Sequence, residues 1–370
     1  MRRPPESAPP LLALLALLLA VLPPASSRAD EPPGAPAPGR LAPRVPCAAL
    51  PGTSYALYLP PGFTTERRWP VLLLLDARGR GAEAAGPFVP AAGRLGLVLA
   101  SSNDSMSDGP LDPTLKALVG MLDDVRRRFA ADDSRLLFGG FSGGARAAAF
   151  FANVAKLPVA GLLLAGAGLA EGQDPKTAKP VPVFATVGET DFNYYEVRHL
   201  GRALQARGVP ARVAVFDGGH EWPPEPVAAE ALAWLVRTAA RIPGEEPGAG
   251  PTVPPSVRRR EERERKELED RLALLVKLVE GSGTESAARV ARKLGVEELK
   301  RARSSASREE RLFAERTLFA LRVRASFYLP SELEAAGRPD RAALSRAVAA
   351  EIGPGAPAHP APSGAPTPLP

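Results

Sequence analysis

The chain has 370 residues, which suits two modest domains better than one, and 45% of them are hydrophobic, enough to bury a core and to exclude a wholly disordered protein. Its formal net charge is +6, yet the basic residues are interleaved with acids, as in Arg258 to Arg271, and carry almost no aromatics for base stacking, so a nucleic-acid surface is not expected. Cys47 is the only cysteine, which rules out an intramolecular disulfide.

Arg2-Arg3 precedes the apolar run Leu11 to Leu22 and the small-residue stretch Pro23 to Ala29. These are the parts of a secretory signal peptide, assigned to residues 1–29, and they place the mature chain in a secreted or periplasmic setting. A membrane anchor is the rival reading, but about a dozen apolar residues fall short of the roughly 20 that cross a bilayer, so no stable membrane insertion is expected after cleavage. Residues 30–50 are proline-rich and read as an extended linker with no core of its own, with order beginning near Pro51. Cys47, far beyond the apolar run, is expected to be a small semi-buried residue rather than a lipid attachment site.

Strand and helix then alternate. Ser54 to Leu59, Val71 to Leu75 and Gly96 to Ser101 read as strands, and Pro113 to Phe129 has the period of an amphipathic helix. Leu136 to Phe138 forms a strand that runs into Gly140-Phe141-Ser142-Gly143-Gly144, and Ala145 to Phe151 continues as helix. Val159 to Leu164 and Val183 to Val187 are buried-type strands, Tyr194 to Ala206 is a helix, Arg212 to Phe216 a strand, and Val227 to Arg241 a closing helix. Continuous apolar strands separated by helices predict an α/β domain over residues 51–242, with a parallel-type sheet and helices on both faces.

Residues 243–256 are again rich in proline and glycine and read as an interdomain linker. Residues 257–352 hold no strand-like segment and carry apolar residues at helical spacing, such as Leu268, Leu272, Leu275 and Leu278, which predicts a C-terminal all-α domain. Gly337, Ala342, Ala349 and Pro354 fall at spacings that resemble the second half of a tetratricopeptide unit, although Pro330 should break the helix before it. Residues 353–370 read as a disordered tail.

The chemistry centres on Ser142. A strand that turns abruptly into a helix holds the residue at its apex in a strained conformation, and glycines two before and two after let the backbones pass closely. A serine hydroxyl is a weak nucleophile near neutral pH and needs a base to take its proton. The chain has three histidines. His359 lies in the tail and His199 in the middle of a predicted helix, which leaves His220, in Asp217-Gly218-Gly219-His220-Glu221-Trp222, as the base. The imidazole needs a carboxylate on its other nitrogen, and Gly188-Glu189-Thr190-Asp191 offers two. Asp191 is favoured because it stands deeper in the loop, ahead of Asn193 as a helix N-cap; Glu189 is the runner-up, and Asp217 reads as a turn residue.

An oxyanion needs two backbone donors. Gly143, which follows the nucleophile, supplies one, and Ala77 or Arg78, in the glycine-rich segment Asp76 to Gly81, the other. Candidate substrate-binding residues on loops at the strand ends are Ser102, Asn103, Tyr194, Tyr195 and Trp222, each of which could equally be a packing residue. The connection Ala165 to Pro182 is too short for a large helical lid, which suits an open site.

The stretch from Tyr55-Ala56-Leu57-Tyr58-Leu59-Pro60-Pro61-Gly62-Phe63 through Gly219-His220-Glu221-Trp222-Pro223 resembles the secreted α/β-hydrolases grouped with polyhydroxybutyrate depolymerases, feruloyl esterases and dienelactone-hydrolase-like enzymes. The resemblance covers about half the chain, and the order Ser, Asp, His agrees with it. Many relatives have His-Gly where this chain has Asp76-Ala77, which leaves the second donor open, and the disulfides of many secreted relatives are missing. The resemblance implies a carboxylic ester hydrolase with a small-molecule or polymer ester as substrate and with no metal or organic cofactor. A serine peptidase of the same fold is the enzymatic rival. From a different class, the rival is an interaction protein with a protein partner on the helical domain; that domain is as readily explained by packing on the catalytic one.

Overall fold

The computed structural model describes residues 36–107, 111–154, 159–170, 172–175, 180–240, 253–281 and 285–354. Residues 1–29, expected to be a signal peptide, most of residues 243–256, expected to be a linker, and the residues beyond 354 lie outside the described residues. The chain divides into two compact units. The first holds the chain up to Val187 together with Glu196–Phe216 and Glu221–Gly250; the second holds Gly188–Tyr195, Asp217–His220 and the chain from Pro251 onward.

In the first unit the described strands form one eight-stranded sheet. They are β1 Leu41–Pro46, β2 Ser54–Tyr58, β3 Trp69–Leu75, β4 Val98–Ser102, β5 Ala131–Phe141, β6 Val159–Ala165, β7 Val183–Gly188 and β8 Ala211–Phe216, in the order β1-β2-β4-β3-β5-β6-β7-β8. β1 with β2 and β2 with β4 are antiparallel, whereas β4, β3, β5, β6 and β7 run parallel. At the entry of β8 the Val183 amide donates to the Pro210 carbonyl at 2.9 Å, so β7 and β8 start side by side. Strand β3 is central, with Leu73 opposite Ala100 on one side and Phe138 on the other, and its unbroken leucines are the mark of a strand covered on both faces.

Two short helices, α1 Gly81–Ala85 and α2 Val89–Leu95, join β3 to β4. Helices α3 Leu111–Arg128, α4 Gly143–Val154, α5 Tyr194–Gln205 and α6 Glu225–Ala239 follow. On one face Leu72, Leu74, Leu137, Leu163 and Phe184 pack with residues of α2 and α6, among them Ala91, Ala92, Leu232 and Leu235. On the other, the Phe138 ring packs at a tilt against Phe151 of α4, 5.2 Å between centres, and Gly201 of α5 lies against Val213 of β8. The alternation of Leu137 and Phe138 between faces is the strand period at work.

The proline-rich segment before Pro51 is not a linker without a core. Residues 41–46 form β1, and Val45 and Cys47 are 3% and 4% exposed. The strand lies at the sheet edge, where prolines can sit without costing ladder hydrogen bonds.

In the second unit the described chain from Pro255 is helical: α7 Pro255–Glu280, α8 Ala287–Lys293, α9 Val296–Ala302, α10 Arg308–Val323, α11 Leu329–Ala335 and α12 Pro339–Ile352. Ser286 and Ser307 cap α8 and α10 by accepting from the amides of Arg289 and Glu310. Their core gathers Leu275, Val279, Val290, Leu294, Leu321, Leu329, Leu333 and Ile352. The expected break at Pro330 does not occur. Between α10 and α11 the backbone widens into a π-turn, Arg324–Tyr328, in which the Leu329 amide reaches back to the Arg324 carbonyl, and Pro330 falls at the start of α11. That shift places the residue lacking an amide where none is needed.

Candidate active site

Strand β5 ends at Phe141 and α4 begins at Gly143, so Ser142 alone makes the turn. Its φ is +54°, and among the described residues Ala130 is the only other non-glycine with a positive φ. The Ser142 amide donates to the Ala165 carbonyl at 2.9 Å, and its carbonyl accepts from Ala145 and Arg146, which starts the helix. A Cβ on Gly140 would lie 2.3 Å from the Gly144 carbonyl carbon, and one on Gly144 would lie 2.1 Å from the Leu75 carbonyl oxygen. No side chain fits at either position, so both flanking glycines are required by close approach.

The loops after β7 and β8 run shoulder to shoulder in the second unit. The Thr190 amide and hydroxyl both donate to the Gly218 carbonyl, at 3.0 and 2.9 Å. A Cβ on Gly188 would meet the Gly219 carbonyl oxygen at 2.1 Å, whereas one on Gly219 would meet nothing nearer than 3.7 Å, so the close approach of these loops depends on Gly188. Asp191 is wholly buried, and its Oδ2 lies 2.9 Å from Nδ1 of His220, whose side chain is 15% exposed. The other oxygen, Oδ1, accepts from the Asn193 amide at 2.7 Å, which fixes the carboxylate. Glu189, the runner-up, points elsewhere: its side chain pairs with Arg308 and its carbonyl accepts from Arg316. His199 and Asp217 are exposed.

The remaining candidates have other partners. Asp76, fully buried, accepts from the Arg78 amide at 2.9 Å, the Arg80 side chain and, at 2.8 Å, the indole N–H of Trp222. Burial works to raise its carboxyl, but the bonds from Arg80, Trp222 and Arg78 outweigh it, and its pKa lies below the ordinary value. Because the Arg78 amide is engaged there, Ala77 is the better of the two oxyanion candidates. Trp222 is itself packed against Phe88 and Phe141, at ring distances of 5.9 and 5.6 Å. Ser102 accepts from the Asp104 amide, and Asn103 donates to Pro43 and Ser54, so both secure strand-end loops. The Tyr194 hydroxyl donates to Glu261 and that of Tyr195 to Glu264, each at 3.0 Å. Both tyrosines therefore bond to α7 within the second unit.

Two residues escaped the sequence reading. The Phe192 ring lies 4.3 Å from the His220 ring, and Ser107 Cβ would sit 2.1 Å from a Cβ on Gly143. Phe192 was legible, as the neighbour of Asp191; no local pattern marks Ser107. Among the described residues no group of three or more His, Cys, Asp or Glu side chains gathers as a metal set.

A mainly parallel sheet with an antiparallel second strand, its chain crossing from β4 past β3 to β5 and into a strained serine turn, with helices flanking it, decides the architecture. The fold is that of an α/β-hydrolase, followed by a helical C-terminal region. No family model and no curated protein sequence matches this chain. Among solved structures, this chain is similar to a thermostable esterase at 16% identity and a TM-score of 0.42, over 52% of this chain and 61% of that one. It is also similar to FphF, a fluorophosphonate-binding serine hydrolase of Staphylococcus aureus, at 15% identity and a TM-score of 0.44, over 52% of this chain and 96% of that one. An S-formylglutathione hydrolase from the same organism matches at 14% identity and a TM-score of 0.43, over 54% of this chain and 98% of that one. No helix among the described residues is long and apolar enough to cross a membrane.

Proposed function

We propose that this protein is a secreted serine hydrolase that cleaves carboxylic esters through an acyl-enzyme on Ser142. The observation that carries the reading is the buried Asp191 carboxylate at 2.9 Å from His220 Nδ1, found in a chain whose serine occupies a strained strand-to-helix turn. With Nδ1 committed to Asp191, Nε2 is the nitrogen that takes the Ser142 proton as Oγ attacks the acyl carbon. Asp191 stabilises the imidazolium so formed. The amides of Gly143 and Ala77 hold the negative oxygen of the tetrahedral intermediate. On its collapse the alkoxide departs with the proton from His220, and water then attacks the acyl-enzyme by the same relay in reverse, which frees the acid and restores the serine.

A fluorophosphonate probe should label the wild-type chain at Ser142 and leave Ser142→Ala unlabelled, with turnover of short aryl esters lost and the circular dichroism spectrum unchanged. Absence of an adduct in the wild type would leave the fold as a non-catalytic scaffold. Faster cleavage of aminoacyl amides than of matched esters would make the protein a peptidase. Export rests on Arg2-Arg3, the apolar run and the small residues before Ala29. Mass spectrometry of the exported protein is expected to find a mature N-terminus near residue 30, and an intact leader on a cytoplasmic protein would refute it.

A further inference from the structure

We propose that the C-terminal helices serve the reaction itself, with Arg316 and Phe319 of α10 as positioning residues for the segment that carries Asp191. This inference rests on the reading of Asp191 and His220 as the acid and base of a serine hydrolase. The second unit is assembled from the loop Gly188–Tyr195, the loop Asp217–His220 and the helices, so the acid and the base lie within the same compact body as α7 and α10.

The connection is specific. Arg316 is only 6% exposed, and its Nε donates to the Glu189 carbonyl at 2.6 Å, two residues ahead of Asp191. Its Nη1 donates to the Tyr195 hydroxyl at 3.2 Å, and the guanidinium lies 3.5 Å above the centre of the Tyr194 ring. One side chain thus grips the acid loop on both sides of Asp191. Arg308, a further residue of α10, pairs with the Glu189 side chain. From α7, Glu261 and Glu264 accept the two tyrosine hydroxyls, and Glu264 stands 4.0 Å from Arg316. Burial is the main force that raises the Glu264 carboxyl, so the charge of Arg316 matters there.

A second arm is aromatic. Phe319 meets Phe192 edge to face at 5.1 Å, and Phe192 in turn lies 4.3 Å from the His220 ring, so a line of rings runs from α10 to the imidazole. Plain packing accounts for this poorly. A buried guanidinium is costly to desolvate, and an apolar residue of similar volume holds helices together as well or better. What an apolar residue cannot do is orient a backbone carbonyl and a hydroxyl in a fixed geometry, which a planar fork of donors does.

The test uses the full chain. Arg316→Met combined with Glu264→Gln removes the guanidinium and the half-buried carboxylate 4.0 Å from it together, and Phe319→Leu removes the aromatic arm at a half-buried site. A displacement near 1 Å of a reacting group costs about 100-fold, so kcat on a short aryl ester should fall by up to about 100-fold in the double variant and less in Phe319→Leu. KM should stay within about twofold, because an interaction felt only in the transition state lowers kcat alone. Labelling of Ser142 by fluorophosphonate should slow in parallel, and Arg316→Lys should recover part of the loss. Folded variants with wild-type kcat and labelling rate would overturn the proposal, as would a change confined to KM. If the double variant does not fold, Arg308→Ala decides, since that residue is 64% exposed and grips the same Glu189: a fall in kcat supports the proposal and an unchanged kcat overturns it. A wild-type chain that is never labelled would instead sink the serine-hydrolase reading.

Discussion

The φ of +54° at Ser142 places a residue with a side chain in backbone territory that costs about 1–3 kcal/mol, a cost that glycine escapes. Ser142→Gly should therefore raise the melting temperature while abolishing ester turnover. A lower melting temperature would mean that the serine side chain stabilises the turn. Asp76 gives a second prediction at this scale. Asp76→Asn weakens the bonds to Arg80 and to the Trp222 indole and should cost about 1–3 kcal/mol near neutral pH, read by urea unfolding. The folded-state pKa of Asp76 lies below the ordinary value of 3.8, so its stabilisation is complete above that value and is lost as pH falls through the folded value. The difference between wild type and variant should close at strongly acidic pH; a gap that persists there would show that the carboxylate charge is not its source.

Secondary-structure elements were legible to differing degrees for identifiable reasons. The buried strands β3, β5, β6 and β7 announce themselves as apolar runs, and the elbow announces itself by its glycines. β1 was hidden by Pro43 and Pro46, which read as linker but are tolerated at a sheet edge. Helices α1 and α2 were hidden by their brevity and by Gly81, Pro90 and Gly93, which mask the helical period. In the candidate site, the pairing of Asp191 with His220 could be inferred because each follows a strand. The roles of Tyr194 and Tyr195 could not, because they depend on Glu261 and Glu264, and no short-range rule links these tyrosines to glutamates 67 and 69 positions away. The contact of α4 with β3 yields a prediction for this scale. Gly144→Ala would press a methyl group to 2.1 Å from the Leu75 carbonyl oxygen, and backbone cannot yield as a side-chain tip does. The expected loss is about 3 kcal/mol, at the upper end of overpacking costs, measured by urea unfolding.

At the scale of the whole molecule, the helical region does not form a unit of its own. The second unit takes in the loops that hold Asp191 and His220. A chain ending at Pro254 would strip Glu261, Glu264, Arg316 and Phe319 from Tyr194, Tyr195 and Phe192, and is expected to lose nearly all ester turnover. Full activity in the shortened protein would show that the acid loop supports itself. The π-turn at Arg324–Tyr328 adds one constraint on how this bundle can vary. It works as a phase shifter: deleting a single residue there would restore ordinary winding and rotate everything downstream by about 100° around the axis. Leu329 and Leu333, now wholly enclosed, would swing toward water, so this stretch should tolerate changes of side chain far better than a change of length.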